Sequence, residues 1–369
     1  MPTFPLGLHV DAHPPLAGWG ATGVPIVVYV HGSLDRGTSF ARVVRRIPEW
    51  GAITYDRRGY ARSRSPRLDH PSGACPSGAC PSGACPSGAA AARRHGIPMP
   101  ETAPSSAAEP ADLTRHVDDL LELVDALPAR GGVTAIGHSL GGDIVIGAAL
   151  AEPGLFASIG AFEPPMPWLG FRRQLAHPSD GTAPAAQPAA QPAAQPVAQP
   201  AAQPDKDHRS TSRSEAPQSD VPRRWPPLDP DPAVEAERFF RRMVGDAAWD
   251  RLPERARQDR RDDGPALVAD LTSIRGPAPF DVTRLNVPVL FGRGGVAGEQ
   301  HHRETVAWLV AHVQGTELVE IEGAGHGAHL SHPDAFARFV RRAVGMARSA
   351  GSTQVAGVAG LVDRGPGAR

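Results

Sequence analysis

A β-branched run, Val133-Thr134-Ala135-Ile136, meets a helical stretch, Asp143–Ala151, through the five residues Gly137-His138-Ser139-Leu140-Gly141. This junction constrains the fold more than any other segment. A strand can pass into a helix so abruptly only through a sharp turn that leaves no room for side chains beside its apex, and Gly137 and Gly141 stand at those positions. Ser139 is the apex residue. The amide of Leu140 falls at a helix amino terminus, where unpaired N–H groups and the helix dipole favour negative charge. A serine hydroxyl is a poor nucleophile until a base takes its proton and fixed donors stabilise the oxyanion. The setting makes Ser139 the candidate nucleophile and Leu140 a candidate oxyanion donor; a glycine-rich turn needed only for packing is the competing reading.

Elsewhere, short apolar runs alternate with helical patterns. Residues 24–30, 133–136, 157–162, 287–291 and, more loosely, 318–321 read as five buried strands. Helical spacing runs through Leu113, Val117, Leu120, Leu121, Val124 and Leu127, through Val306, Leu309, Val310 and Val313, and through Phe336, Phe339, Val340 and Val344. The alternation predicts an α/β fold with a mostly parallel central sheet flanked by helices on both faces.

Two low-complexity inserts interrupt the chain. Residues 71–90 are built on Pro-Ser-Gly-Ala-Cys and residues 184–204 on Ala-Ala-Gln-Pro. Neither holds enough apolar area to offset the ordering entropy of ~1–2 kcal/mol per residue, so both are expected to be mobile. Residues 1–165 then form the first part of a core and residues 285–348 the second. Residues 166–284, with helix-like stretches around 232–250 and 265–275 and no strand candidate, form a cap over the strands' carboxyl ends, where open α/β sheets bind ligands. Residues 349–369 read as a disordered tail.

The 369 residues carry a formal net charge of -1, which leaves no basic excess for nucleic acid or an acidic membrane. No apolar run reaches the ~18–20 residues needed to span a bilayer, and no leader pattern opens the chain, so a cytoplasmic protein acting on a small molecule is expected. Cys75, Cys80 and Cys85 all fall in the first repeat, at a spacing that fits neither a disulfide framework nor a zinc site.

The first buried strand ends Tyr29-Val30-His31-Gly32-Ser33, and with the serine turn it resembles the α/β-hydrolase superfamily. His31-Gly32-Ser33 is similar to that family's oxyanion loop, Asp56-Arg57-Arg58-Gly59-Tyr60-Ala61-Arg62-Ser63 to its Asp-x-Arg-Gly-x-Gly-x-Ser segment with Ala61 in place of Gly, and Gly323-Ala324-Gly325-His326 to its catalytic-histidine loop. The resemblance implies His326 as general base and the Ser33 amide as second oxyanion donor, with Leu34 as fallback. A triad acid is usual after the strand matching 287–291, but Gly295 stands there. Other members carry the acid one strand earlier, where this chain has Glu163; Glu299 and Asp35 are lesser candidates, and a Ser–His dyad is a further alternative. Asp56 resembles a loop-holding position.

His329 and His332 follow His326 closely, but no Cys or carboxylate cluster joins them, so a base is a better reading of His326 than a metal ligand. His301-His302 read as solvated residues opening a surface helix, and the Arg pairs 223–224, 241–242 and 260–261 as a solvated face. No cofactor and no metal are implied. The expected function is a serine hydrolase cleaving an ester or related acyl bond through an acyl-enzyme. Acyl transfer or lyase chemistry on the same residues, and ligand binding without turnover, are the alternatives; a haloalkane-dehalogenase mechanism would need Asp at position 139.

Overall fold

The computed structural model describes residues 7–15, 23–64, 111–127, 132–169, 226–296 and 300–359, with 348–359 as backbone only. Both low-complexity inserts, Glu299 and the Arg pair 223–224 lie outside the described residues. Seven strands form one sheet: β1 (Val10–His13), β2 (Ile26–Val30), β3 (Gly51–Tyr55), β4 (Val133–His138), β5 (Phe156–Phe162), β6 (Val289–Gly294) and β7 (Thr316–Ile321). Their order is β1-β3-β2-β4-β5-β6-β7. Only β1 pairs antiparallel; every other pairing is parallel.

Alternate side chains along each strand enter two separate cores, as the two-residue period of a strand requires. Val28, Val30, Ala135, Ile159 and Phe291 face one side, packed by α2 (Leu113–Asp125), α3 (Leu140–Ala151) and α8 (Gln300–His312). Val27, Tyr29, Ile136, Phe162 and Leu290 face the other, against Val43 and Val44 of α1 (Ala41–Val44), Ala328 of α9 (Ala328–Ser331) and Phe336, Phe339 and Val340 of α10 (Pro333–Ala359). Strands covered on both faces read as unbroken apolar runs. That is why β2, β4, β5 and β6 are visible in the sequence. Strand β1 is a partly exposed edge and β3 opens on Gly51-Ala52, so neither has such a run. Helix α10 continues to Ala359, into the segment 349–369 expected as a tail.

Among the described residues, four α-helices lie between β5 and β6: α4 (Pro232–Val244), α5 (Asp246–Asp250), α6 (Glu254–Asp262) and α7 (Gly264–Ile274). Helix α6 has no buried residue and hence no apolar stripe to betray it in the sequence. Glu237 of α4 pairs with Arg241 at 2.9 Å and with Arg261 at 3.0 Å, and both guanidinium groups lie over buried Trp249.

The parallel register aligns the strand ends. Val30 stands opposite Gly137, His138 opposite Phe162, Phe162 opposite Gly292, and Gly294 opposite Ile321. The segments that leave β2, β4, β5, β6 and β7 therefore emerge along one edge of the sheet, bringing His31-Gly32-Ser33, Ser139, Glu163, Gly295 and the loop to His326 into one neighbourhood.

Candidate active site

Ser139 adopts φ 53° and ψ -128°, a backbone conformation that a residue with a side chain enters only under strain, at a cost of ~1–3 kcal/mol. Its neighbours hold it there. The Ser139 amide donates to the Phe162 carbonyl at 2.9 Å, and the Gly142 amide donates to the Ser139 carbonyl at 2.7 Å. A Cβ at Gly137 would collide with the Gly141 carbonyl, and one at Gly141 with the Val30 carbonyl. The turn thus wedges itself between β2 and the start of α3, and Ser139 is left half-buried beside Leu140 at the head of the helix. The first amides of a helix have no intrahelical acceptor, so the Leu140 N–H is unspent within α3.

The loop after β2 runs past this serine: a Cβ at Gly32 would stand 2.8 Å from the Ser139 Cβ. His31 anchors the loop, accepting from the Arg57 amide on Nε2 at 2.9 Å and donating from Nδ1 to the Gly32 carbonyl at 2.7 Å. Burial, reinforced by the Arg57 charge, pushes the His31 pKa down to about 3, so the ring is neutral. The Ser33 hydroxyl donates to Asp270 of α7 at 2.7 Å, while its amide donates to no acceptor among the described residues. Leu34 is left-handed at φ 54°, and its carbonyl accepts from Arg260 at 2.5 Å.

Asp270 is the node of this loop. Completely buried, it also accepts from Arg57 at 2.8 and 3.2 Å, from Tyr60 at 2.5 Å and from His116 at 3.2 Å. Burial opposes its ionisation, but Arg57 and His116 outweigh that and hold the carboxyl well below the usual range. Asp56 fastens the neighbouring segment, accepting from the Gly37 amide at 2.8 Å and from the Arg62 amide and Nε at 3.2 and 2.9 Å.

At the end of β5, Glu163 is also left-handed, at φ 47°, and 5% exposed. Its amide donates to the Gly292 carbonyl at 2.9 Å and its Oε1 accepts from the Gly294 amide at 2.8 Å. Its Oε2 lies 2.6 Å from His326 Nδ1. A carboxylate can only accept, so Nδ1 carries a proton, and in the neutral ring Nε2 is then the acceptor. His326 is further held through its carbonyl, which accepts from His138 Nε2 at 2.9 Å, and through a stacked His302 ring at 4.5 Å and 18°. The Ser139 hydroxyl and the His326 ring are not hydrogen-bonded to each other. His138, the residue before Ser139, has its ring centroid 4.7 Å from that of His326.

The sequence profile of the alpha/beta hydrolase family matches residues 27–339, most of the chain. The chain belongs to the alpha/beta hydrolase family. Among solved structures it is similar to MenH from S. aureus, at 12% identity and a TM-score of 0.52, covering 92% of this chain and 99% of that one. It is also similar to a lipase-esterase related protein from Clostridium acetobutylicum ATCC 824, at 13% identity and a TM-score of 0.50, covering 91% and 99%. Likeness at such identities speaks for the fold alone. No curated protein matches the sequence.

In this hydrolase-family chain the lesser acid candidate Asp35 is engaged elsewhere, with His329 Nε2 at 3.1 Å. The trio His326, His329 and His332 does not assemble: His332 is partly exposed and bonded to Ser331 at 2.9 Å. Two other sets of metal-ligating types do converge, Asp35-His138-His329 and Glu163-His302-His326. The reading of His301 and His302 as solvated is wrong. They are 7% and 5% exposed, because the first turn of α8 packs inward beside His326. Arg260 likewise leaves the solvated face, turning to the Leu34 carbonyl and the Phe240 ring.

Sequence reasoning missed Asp270 and His302. An acid between Leu267, Leu271 and Ile274 on the buried face of α7 was the available signal for the first. For His302 there was none, because a helix that starts next to a site does not differ in sequence from one that starts in water. Among the described residues, no helix is long and apolar enough to cross a membrane.

Proposed function

We propose that this family member is a serine hydrolase that cleaves an ester or related acyl bond of a small molecule through an acyl-enzyme. The observation that carries the reading is the Glu163–His326 contact at 2.6 Å beside a strained serine. A carboxylate that accepts Nδ1–H fixes the tautomer whose Nε2 can take a proton, and stabilises the imidazolium once formed. Ser139 Oγ attacks the carbonyl carbon as its proton passes to His326 Nε2. The amides of Leu140 and Ser33 receive the oxyanion, each donor worth ~3–4 kcal/mol of transition-state stabilisation. His326 then protonates the leaving group, and water, activated by the same nitrogen, releases the acyl group. The cycle requires a Ser139–His326 hydrogen bond to form on substrate binding, and such bonds often tighten only in the bound complex.

The insertion α4–α7 serves as the cap. Asp270 and Arg260 connect it to the loop that carries Ser33 and Leu34, so substrate selection and oxyanion geometry share one support. A fluorophosphonate probe tests the chemistry: it labels the native chain and not Ser139→Ala, and p-nitrophenyl esters of increasing acyl length are hydrolysed with a chain-length optimum. Labelling of both proteins, or no labelling of the native chain, would overturn the proposal.

A further inference from the structure

We propose that His138, His329 and Asp35 form a binding site for a divalent cation of the zinc class, next to the serine turn and separate from the hydrolytic residues. His138 ends β4, His329 lies on α9, and Asp35 follows the loop after β2. Each offers one ligand atom, and the three atoms lie within 4.8 Å of one another. The imidazole rings of His138 and His329 meet at 4.2 Å between centroids. His329 Nε2 and Asp35 Oδ2 are 3.1 Å apart, close to the ~3.3–3.5 Å edge of a tetrahedral zinc with bonds of about 2.0–2.2 Å.

An unspent lone pair points to a ligand. The His326 carbonyl can only accept, so His138 carries its proton on Nε2 and leaves Nδ1 bare. That nitrogen is buried and has no hydrogen-bond partner. His138 is only 5% exposed, so water does not satisfy this atom freely. Buried polar atoms without partners are uncommon in folded proteins and call for an unseen water or ion. A metal on His138 Nδ1 fills the vacant acceptor and retains the Nε2–H···O=C bond, the outer-shell support usual for a ligating imidazole.

Two imidazoles and one carboxylate suit zinc or its neighbours; magnesium and calcium prefer all-oxygen sites. Three protein ligands leave one position for water. The Asp35 side chain, 15% exposed, gives the ion a route from solvent. The other converging set, Glu163-His302-His326, is the weaker host. An ion there must break the short 2.6 Å bond between Glu163 and His326, whereas an ion at the first set replaces the longer 3.1 Å bond between His329 and Asp35.

Calorimetric titration of the metal-free full chain with Zn2+ tests the proposal without substrate, so its outcome is independent of the hydrolase reading. The native chain is expected to bind an ion here and to melt at higher temperature with it, and Co2+ is expected to give the intense visible absorption of a four-coordinate centre. Asp35→Asn and His329→Phe should each weaken this binding at least ~100-fold and remove the cobalt signal. Phenylalanine suits position 329 because Phe40 and Phe336 already flank that ring at 5.0 and 5.9 Å. His302→Phe should bind as the native chain does. Absence of binding to the native chain, or binding lost in His302→Phe and kept in Asp35→Asn, overturns the site; if His329→Phe fails to fold, Asp35→Asn alone decides.

Discussion

Glu163 and His326 lie 163 residues apart in sequence and 2.6 Å apart in space, joined by an Nδ1–H···Oε2 bond while the second carboxylate oxygen accepts the Gly294 amide at 2.8 Å. The strand end that lacks the usual acid thus contributes a backbone donor. It supports an acid arriving from the neighbouring strand.

Replacing Glu163 by Gln keeps the size of the side chain but not its charge. The amide cannot stabilise the imidazolium, and the tautomer of His326 is no longer fixed. Turnover of a p-nitrophenyl ester should fall by ~10⁴-fold with little change in KM. Steady-state kinetics check this, and a rate within tenfold of native would remove Glu163 from the mechanism.

Ser139 stores backbone strain at φ 53°. Glycine enters that region without strain and alanine does not, so Ser139→Gly should be more stable than Ser139→Ala by ~1 kcal/mol after the added chain entropy of glycine is subtracted. Both variants should be inactive. Urea unfolding of the pair provides the comparison, and a Ser139→Ala variant more stable than Ser139→Gly would mean that the turn is relaxed.

Asp270 neutralises a fully buried Arg57. Asp270→Asn leaves that guanidinium uncompensated and should cost ~3–5 kcal/mol by urea unfolding. Its depressed pKa also sets a pH signature. Its stabilising contribution is fully present above the ordinary Asp range, about 3.9, and is lost as pH falls through the lower folded value. The native chain should therefore lose more stability than Asp270→Asn on acidification below about pH 4. Parallel acid unfolding curves would count against the charge pair.

Asp143, in the first turn of α3, has the opposite sign. Both carboxyl oxygens are buried without a hydrogen-bond partner, and burial raises the pKa well above the usual range, an effect that the Met166 backbone opposes only in part. Between about pH 3.9 and its folded pKa the native state binds more protons than the unfolded one, so this group's contribution to stability falls as pH rises. Asp143→Asn should gain on the native chain by ~1.4 kcal/mol per pH unit from about pH 4 upward. Denaturant unfolding at pH 4, 5 and 6 measures the difference. A gap that stays constant across that range would show Asp143 to be ionised in the fold.

Much of this was legible before any coordinate. Strands β2, β4, β5 and β6 announce themselves because burial on both faces demands continuous apolar sequence. The serine turn does so because Gly137 and Gly141 answer a local steric demand. Glu163 could be singled out because Gly295 left a carboxylate missing. The edge strand β1 and the charged helix α6 were silent, since neither buries a face that would imprint a period.

The amino-acid sequence alone therefore determined the doubly covered strands, the turn at Ser139 and the residue types gathered at the strand ends, because each depends on contacts between near neighbours or on a burial pattern repeated along one element. Tertiary structure decided that His326 meets Glu163 and Asp35 meets His329, that His302 faces inward, and that α7 carries Asp270 to Ser33. Those pairings depend on which face of one element meets which loop of another, a choice made by packing across hundreds of residues that leaves no periodic trace in the chain.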